Sequence, residues 1–410
     1  MTKCINIKFK MKNFRHIKLI STYCSFIFLL ITFTSCNKDD KYEPIAVVDN
    51  TAVLQVLNTY FGDTFGTTEL PNYANQIVPN YITKDNSAGN VITDAKASLG
   101  RILFYDNNLS VNNTIACASC HKQSLAFGDN NDVSTGVNGT TGRHSMRLVN
   151  ARFALESRFF WDKRAATLEA QTTQPIQDHT EMGFSGENGS LGINDLLDKL
   201  SSLEYYPPIF EAIYGDATIT EARLQETLAQ FVRSIQSFDS KFDAGLSQTN
   251  NVNTPFPNYT AQENIGKTLF NSPPNNNGAG CIGCHAAPEF DIDPNSRNNG
   301  VIGVFGDVTT TDLENTKAPT LRDIFNTQGQ LNGALMHDAS LATVEEVILH
   351  YNSIDPSNNP NLDNRLQGGP GQNGQQLNLS NDEIDALAAF IKTLSGTNLY
   401  TDPKWSNPFE

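Results

Sequence analysis

Apolar residues recur at helical spacing in three stretches, each opened by a polar signal able to cap a helix. Thr218-Ile-Thr-Glu221 has capping-box form, and Leu224, Leu228, Phe231, Val232, Ile235 and Phe238 follow it. Ser380-Asn-Asp-Glu383 opens a second stretch, with Ile384, Leu387, Ile391 and Leu394 on one face and Gly396 as a stop. Thr343-Val-Glu-Glu346 opens a third. There Val344, Val347, Ile348 and Tyr351 share one face, and His350 points about 100° away. Between these stretches lie Asn-, Gly- and Asp-rich segments with little strand-like alternation. The pattern predicts a mainly α fold with long ordered loops, and loops of that length are usually functional.

The chain also repeats itself. "LGRILFYDNNLS" (99–110) precedes Cys117-Ala-Ser-Cys120-His121, and "IGKTLFNSPPNN" (265–276) precedes Cys281-Ile-Gly-Cys284-His285. Matching entry helices and matching motifs point to duplication of one module. The expected domains are 86–248 and 255–410, with the polar stretch 246–260 as their boundary. Residues 37–52 read as a tether. Residues 53–85, with Tyr60, Phe61, Phe65, Tyr73 and Tyr81, read as an extension packed on the first domain.

Composition narrows the setting. Four of the seven cysteines lie in the two motifs; Cys4, Cys24 and Cys36 lie near the N-terminus. That leaves no cysteine for a structural disulfide in the rest of the chain. Lys3, Lys8, Lys10, Lys12, Arg15 and Lys18 form a basic region, "FIFLLITF" follows, and "TSCNKDD" ends the segment. This is the layout of an export signal. A small residue before Cys36 favours a lipoprotein signal, with Cys36 lipidated as a membrane anchor. Phe33 departs from the usual Leu, so a plain secretory signal or an uncleaved anchor stays as an alternative. The expected location is periplasmic. Removing residues 1–35 deepens the formal charge from −15 to −21. Such a surface repels nucleic acid and suits a basic protein partner.

The two motifs carry the chemistry. A covalent c-type haem needs two thiols one helical turn apart and an imidazole directly after them, which Cys-x-x-Cys-His supplies. A thioredoxin-like site needs no His and expects a βαβ setting. A four-cysteine zinc site spaces its pairs by about 15–20 residues. Two covalently bound c-type haems are therefore expected, with His121 and His285 as proximal ligands to iron. The sixth positions decide the rest: two closed irons make a carrier, one open iron an enzyme.

"RFFWDKRAATLEAQTTQPIQDHTEMG" (158–183) closely resembles the bacterial di-haem cytochrome c peroxidases and the related MauG enzymes. "GRILFYDNNLS", "CASCH", "APTLRD" (318–323), "MHDAS" (336–340) and "TVEEVILHY" (343–351) extend the resemblance in the family's order. It implies two cytochrome c-like haem domains, the first peroxidatic and the second for electron transfer. It places Trp161 between the haems on the electron route, and Gln171 and Glu181 on the open face of the first haem. Those roles are chemically apt, because a carboxylate over an apolar face can move the proton that peroxide cleavage requires.

The chain departs from the family at several positions. Val137 stands where many members carry a His that caps the peroxidatic haem. His144 stands where the family has a calcium-binding Asn, so the resemblance does not carry an interdomain calcium over to this chain. Lys163 replaces a Gly. For the sixth ligand of the second haem, Tyr351 is preferred, with His350 and Met336 as alternatives. His337 is expected near a haem propionate and His179 on the surface. The implied activity is reduction of hydrogen peroxide to water with electrons from a small cytochrome c or cupredoxin. The alternatives are a MauG-like oxidase that modifies a partner protein, and a plain electron carrier. Homodimers are common in the family.

Overall fold

The computed structural model describes residues 48–155, 158–292, 294–369 and 373–410. The signal-type segment, Cys36 and most of the tether lie outside them. Asn50–Phe61 (α1) is the first helix among the described residues, capped by Asp49, so the last residues assigned to the tether are helical. Then come Asp94–Tyr105 (α2), Cys117–Cys120 (α3), Leu168–Thr172 (α4), Gln174–Gln177 (α5), Ile193–Ser202 (α6) and Tyr206–Tyr214 (α7). The rest are Glu221–Ser234 (α8), Lys241–Thr249 (α9), Ala261–Asn271 (α10), Val344–Asn352 (α11) and Asn381–Lys392 (α12). Strands among the described residues are two-residue pairs: Thr135–Gly136 with Gly139–Thr140, and His285–Ala286 with Asp291–Ile292. The fold is mainly helical, with long connections. No helix among the described residues is long and apolar enough to cross a membrane.

Ser380 and Thr343 cap α12 and α11 by the capping boxes that the sequence shows. The start of α8 differs. Its cap is Thr220, whose hydroxyl accepts from the Arg223 amide at 3.2 Å. Thr218 is instead held in a turn on Asp216, and Glu221 accepts from Thr173 and Gln177. Ile235 is the C-cap of α8, so Phe238 lies beyond the helix.

Val47–Glu410 forms one compact unit with two principal cores. The first joins α1, α2, α7 and α8; the second joins α9, α10, α11 and α12. Phe242 and Leu246 of α9 belong to the second core, so part of the expected boundary is a packed helix. Phe65 and Tyr73 enter the first core, whereas Tyr81 packs on the second and donates to Asp243 at 2.8 Å. The chain end returns to the first core. Leu399 and Trp405 are buried there, the Tyr73 hydroxyl donates to the Lys404 carbonyl at 2.5 Å, and Arg101 Nε donates to the Ser406 carbonyl at 2.7 Å.

The two cores share one plan. α2 lies on α8 at Gly100, where a Cβ would overlap the Thr227 carbonyl and meet Phe231 Cβ at 2.8 Å. α10 lies on α12 at Gly266, where a Cβ would overlap the Ala386 carbonyl and meet Phe390 Cβ at 2.9 Å. Left-handed residues recur in step: Phe127 with Phe290, Asn150 with Asp323, Phe160 with Met336, and Lys163 with Ala339. Bridges Phe159–Ala165 and Leu335–Leu341 close matching turns, two residues before the caps Thr167 and Thr343. This register pairs Trp161 with His337, Gln171 with Val347, Gln174 with His350, and Pro175 with Tyr351. The two repeats also exchange backbone bonds: His144 N–H donates to the His337 carbonyl at 2.8 Å, and Lys317 N–H to the Trp161 carbonyl at 2.7 Å.

Candidate functional site

The first motif is a single helical turn. α3 puts Cys117 and Cys120 one turn apart, and the His121 amide closes on the Cys117 carbonyl at 2.9 Å. The thiols are free and half-buried, facing a cavity of about 690 Å³. Enclosure pushes Cys117 up to about 12 and Cys120 up to about 11, so both are neutral thiols. His121 Nδ1 lies 3.0 Å from the Phe127 carbonyl, which the left-handed Ala126 and Phe127 turn back toward the ring. A donor bond at Nδ1 selects the tautomer whose Nε2 lone pair is the metal-ligating one. Burial holds the imidazole pKa below its ordinary value, which keeps it in the ligating neutral form.

The cavity walls join apolar and polar groups. Phe104, Ile115, Leu168, Leu228 and Val232 give it an apolar body. Gln171 faces it from α4, which Thr167 caps. Glu181 faces it from a turn in which Asp178 accepts the Thr180 and Glu181 amides at 2.8 and 2.9 Å. Burial, reinforced by the charge of Asp178, pushes the Glu181 carboxyl up to about 7. At neutral pH such a group can take or give a proton. Val137 does not line the cavity; its amide donates to the Glu181 carbonyl at 3.0 Å.

Trp161 stands where the repeats meet. Its indole N–H donates to the His144 carbonyl at 2.7 Å, and its ring centroid lies 6.3 Å from that of His337. His337 is buried, on the same cavity, with Nε2 3.5 Å from Asp312. His144 is buried too, its Nδ1 3.0 Å from the Asn131 carbonyl. Beside it Asp129 accepts from Lys122 at 2.7 Å and from Ser134 at 2.5 Å. Lys163 is buried, its ammonium 2.8 Å from the Ser296 carbonyl. His179 is exposed.

The second motif repeats the proximal arrangement. His285 Nδ1 lies 3.3 Å from the Phe290 carbonyl, and burial pushes the ring down to about 4. Around Asn299 converge the three side chains considered for its sixth position. His350 Nε2 is 3.0 Å from the Asn299 carbonyl, and Asn299 Nδ2 donates to Met336 Sδ at 3.5 Å. The Asn299 side chain also faces the Tyr351 hydroxyl. Tyr351 is enclosed beside Cys284 and Cys281, and burial raises its pKa above the ordinary value. Its counterpart Pro175 lines the first cavity, while Gln174, the counterpart of His350, does not.

The thiol pairs, the Nδ1-anchored imidazoles and the largely apolar cavity fit covalently held haems. Groups not anticipated from the sequence are Arg143, Arg147 and Asp312, all on the same cavity. The sequence signal was the pair of arginines flanking His144 in "RHSMR".

Residues 94–251 match the family model for di-haem cytochrome c peroxidase. The methylamine utilization protein MauG of Methylophilus methylotrophus is 29% identical over 314 residues, 75% of this chain and 84% of that protein. Cytochrome c551 peroxidase of Nitrosomonas europaea is 28% identical over 315 residues, 73% of this chain and 80% of that protein. Among solved structures, a MauG-like protein associated with microbial copper homeostasis superposes with a TM-score of 0.64 at 26% identity. That match covers 82% of this chain and 99% of the other. The matched region holds the first Cys-x-x-Cys-His motif together with Trp161, Gln171 and Glu181. The chain is thus similar to the bacterial di-haem cytochrome c peroxidases and MauG proteins, the family-model match covering its residues 94–251.

Proposed function

We propose that the protein is a periplasmic di-haem peroxidase that reduces hydrogen peroxide to water, drawing electrons from a small cytochrome c or cupredoxin. The observation that carries this reading is that Cys117, Cys120 and His121 share one cavity with Glu181 and Gln171. Two c-type haems, one at each Cys-x-x-Cys-His motif, would supply the redox chemistry. Peroxide takes two electrons and two protons to become two waters. Glu181, poised near neutrality, accepts the proton from one peroxide oxygen and delivers it to the other, so that water leaves. The Gln171 amide orients the peroxide. Trp161, packed between the repeats, lies on the path between the two sites. Tyr351 closes the second site, and the anionic surface steers a basic donor.

A second reading is a MauG-like oxidase acting on a partner protein. Tyr351 beside the second motif, in place of Met, favours it. One experiment separates the two: the exported protein is assayed for peroxide consumption with a reduced small cytochrome, beside a covalent haem count. Two haems and sustained turnover support the peroxidase. Two haems with no turnover move the assignment to the oxidase, and fewer than two remove both.

A further inference from the structure

Three arginines line the first cavity, and two of them are neutralised. Arg143 pairs with Asp162 and Asp312, each at 2.6 Å. Arg164 pairs with Asp162 at 2.9 Å and lies 3.5 Å over the Phe160 ring. Arg147 has no such relief. Its Nε is sealed from solvent without a hydrogen-bond partner, and its Nη2 makes one long bond, 3.4 Å, to the Thr320 carbonyl. Asp323 acts on it only through space. The stem is seated on Gly128, where a Cβ would meet Arg147 Cγ at 2.8 Å. Arg147 is half-buried and its guanidinium stays charged, and withdrawing a charge from water without a partner is costly in general.

Its place relates it to both motifs. The Phe127 carbonyl that orients His121 also accepts the Leu148 amide at 3.2 Å, directly after Arg147. The Phe290 carbonyl that orients His285 accepts the Leu321 amide at 3.1 Å, directly after Thr320. Arg147 and Thr320 are therefore equivalent residues of the two repeats, touching each other. The second repeat has no charge at this position.

We propose that Arg147 is the counter-charge for an anionic oxygen group in the first cavity. The proposal rests on the haem reading above. The group is either a propionate carboxylate of the haem itself or a soluble inorganic anion of the same chemistry. A planar guanidinium with open donors matches such a group.

The test uses the holoprotein and the variants Arg147→Met and Arg147→Lys. A covalent haem count comes first, because fewer than two in the wild type defeats the haem reading whatever Arg147 does. With two haems, the potentials are compared in a Glu181→Gln background, which removes the Glu181 titration; with Arg147 in place the first-site potential is then expected to be flat between about pH 5.5 and 8. In Arg147→Met the unpaired carboxylate takes up a proton in that window, so the potential becomes pH-dependent, and Lys restores flatness. If the anion is soluble, phosphate or sulfate shifts the haem absorption saturably in the wild type and not in Arg147→Met. Arg147→Gln gives the same comparison should the Met variant not accumulate. Identical pH profiles together with no saturable anion response overturn the proposal.

Discussion

Two sites built on one backbone plan differ in the helix that faces them. In the first repeat α4 and α5 present Leu168, Gln171, Thr172 and Pro175 to the cavity. In the second, the equivalent positions on α11 are Val344, Val347, Ile348 and Tyr351. One face carries an amide and no side chain able to close on a metal, and it is joined by Glu181. The other is apolar apart from a single enclosed hydroxyl. The scaffold sets thiols and imidazole alike in the two repeats, with Nδ1 contacts of 3.0 and 3.3 Å, so the opposing helix is where the two sites part.

The sharpest way to break this contrast is Glu181→Gln. Losing a positioned acid–base group typically costs about 10²–10⁴-fold in the catalysed step. Stopped-flow mixing with peroxide should show a fall of that size, with both haems still covalently attached. A rate within a few-fold of wild type removes Glu181 from the reaction.

The next test asks whether the two repeats bear load alike. Gly100→Ala and Gly266→Ala each place a methyl into the backbone of the packed helix, at Thr227 and Ala386. Overpacking of this kind costs about 1–3 kcal/mol. Denaturant titration should show comparable losses for the two variants, and a negligible loss in either breaks the equivalence of the helix pairs.

A third test uses pH. The Glu181 carboxyl is raised from 4.5 to about 7, so its basic form disappears as pH falls through about 7. The peroxide step should slow roughly tenfold per pH unit well below that point and flatten above it. The stability effect has the opposite sense. Between those two values the folded chain holds a proton that the unfolded chain has released, so stability falls as pH rises. Glu181→Gln should remove the kinetic inflection and gain stability relative to wild type at pH 8 compared with pH 4. An unchanged inflection reassigns it to another group.

The sequence made the motifs, the entry helices and two of the caps legible because each is a local rule. Ser380 and Thr343 needed only their own acids three residues on. Thr218 satisfied the same arithmetic and lost to Thr220, because Asp216 and the α4–α5 segment claim its partners. The finer correspondence of the repeats was invisible: Trp161 with His337 and Arg147 with Thr320 share no chemistry. Their equivalence is carried by left-handed backbone and main-chain bonds, which side-chain patterns do not encode. Arg147 drew no reading from the sequence beyond its place in "RHSMR", and the cavity around it makes it conspicuous.

The smallest expected change sharpens the comparison most. Under the proposed function Tyr351 closes the second site, so cyanide should bind one haem per chain in the wild-type protein. Tyr351→Phe removes the hydroxyl and keeps the ring, so the stoichiometry should rise to two. His350→Ala should leave it at one, since His350 Nε2 is engaged by the Asn299 carbonyl. Met336→Leu should do the same, because its counterpart Phe160 belongs to the turn before α4 and not to the facing helix. If Tyr351→Phe still takes one equivalent while Met336→Leu takes two, the closing group sits on the turn. The helix contrast then fails at its own decisive residue.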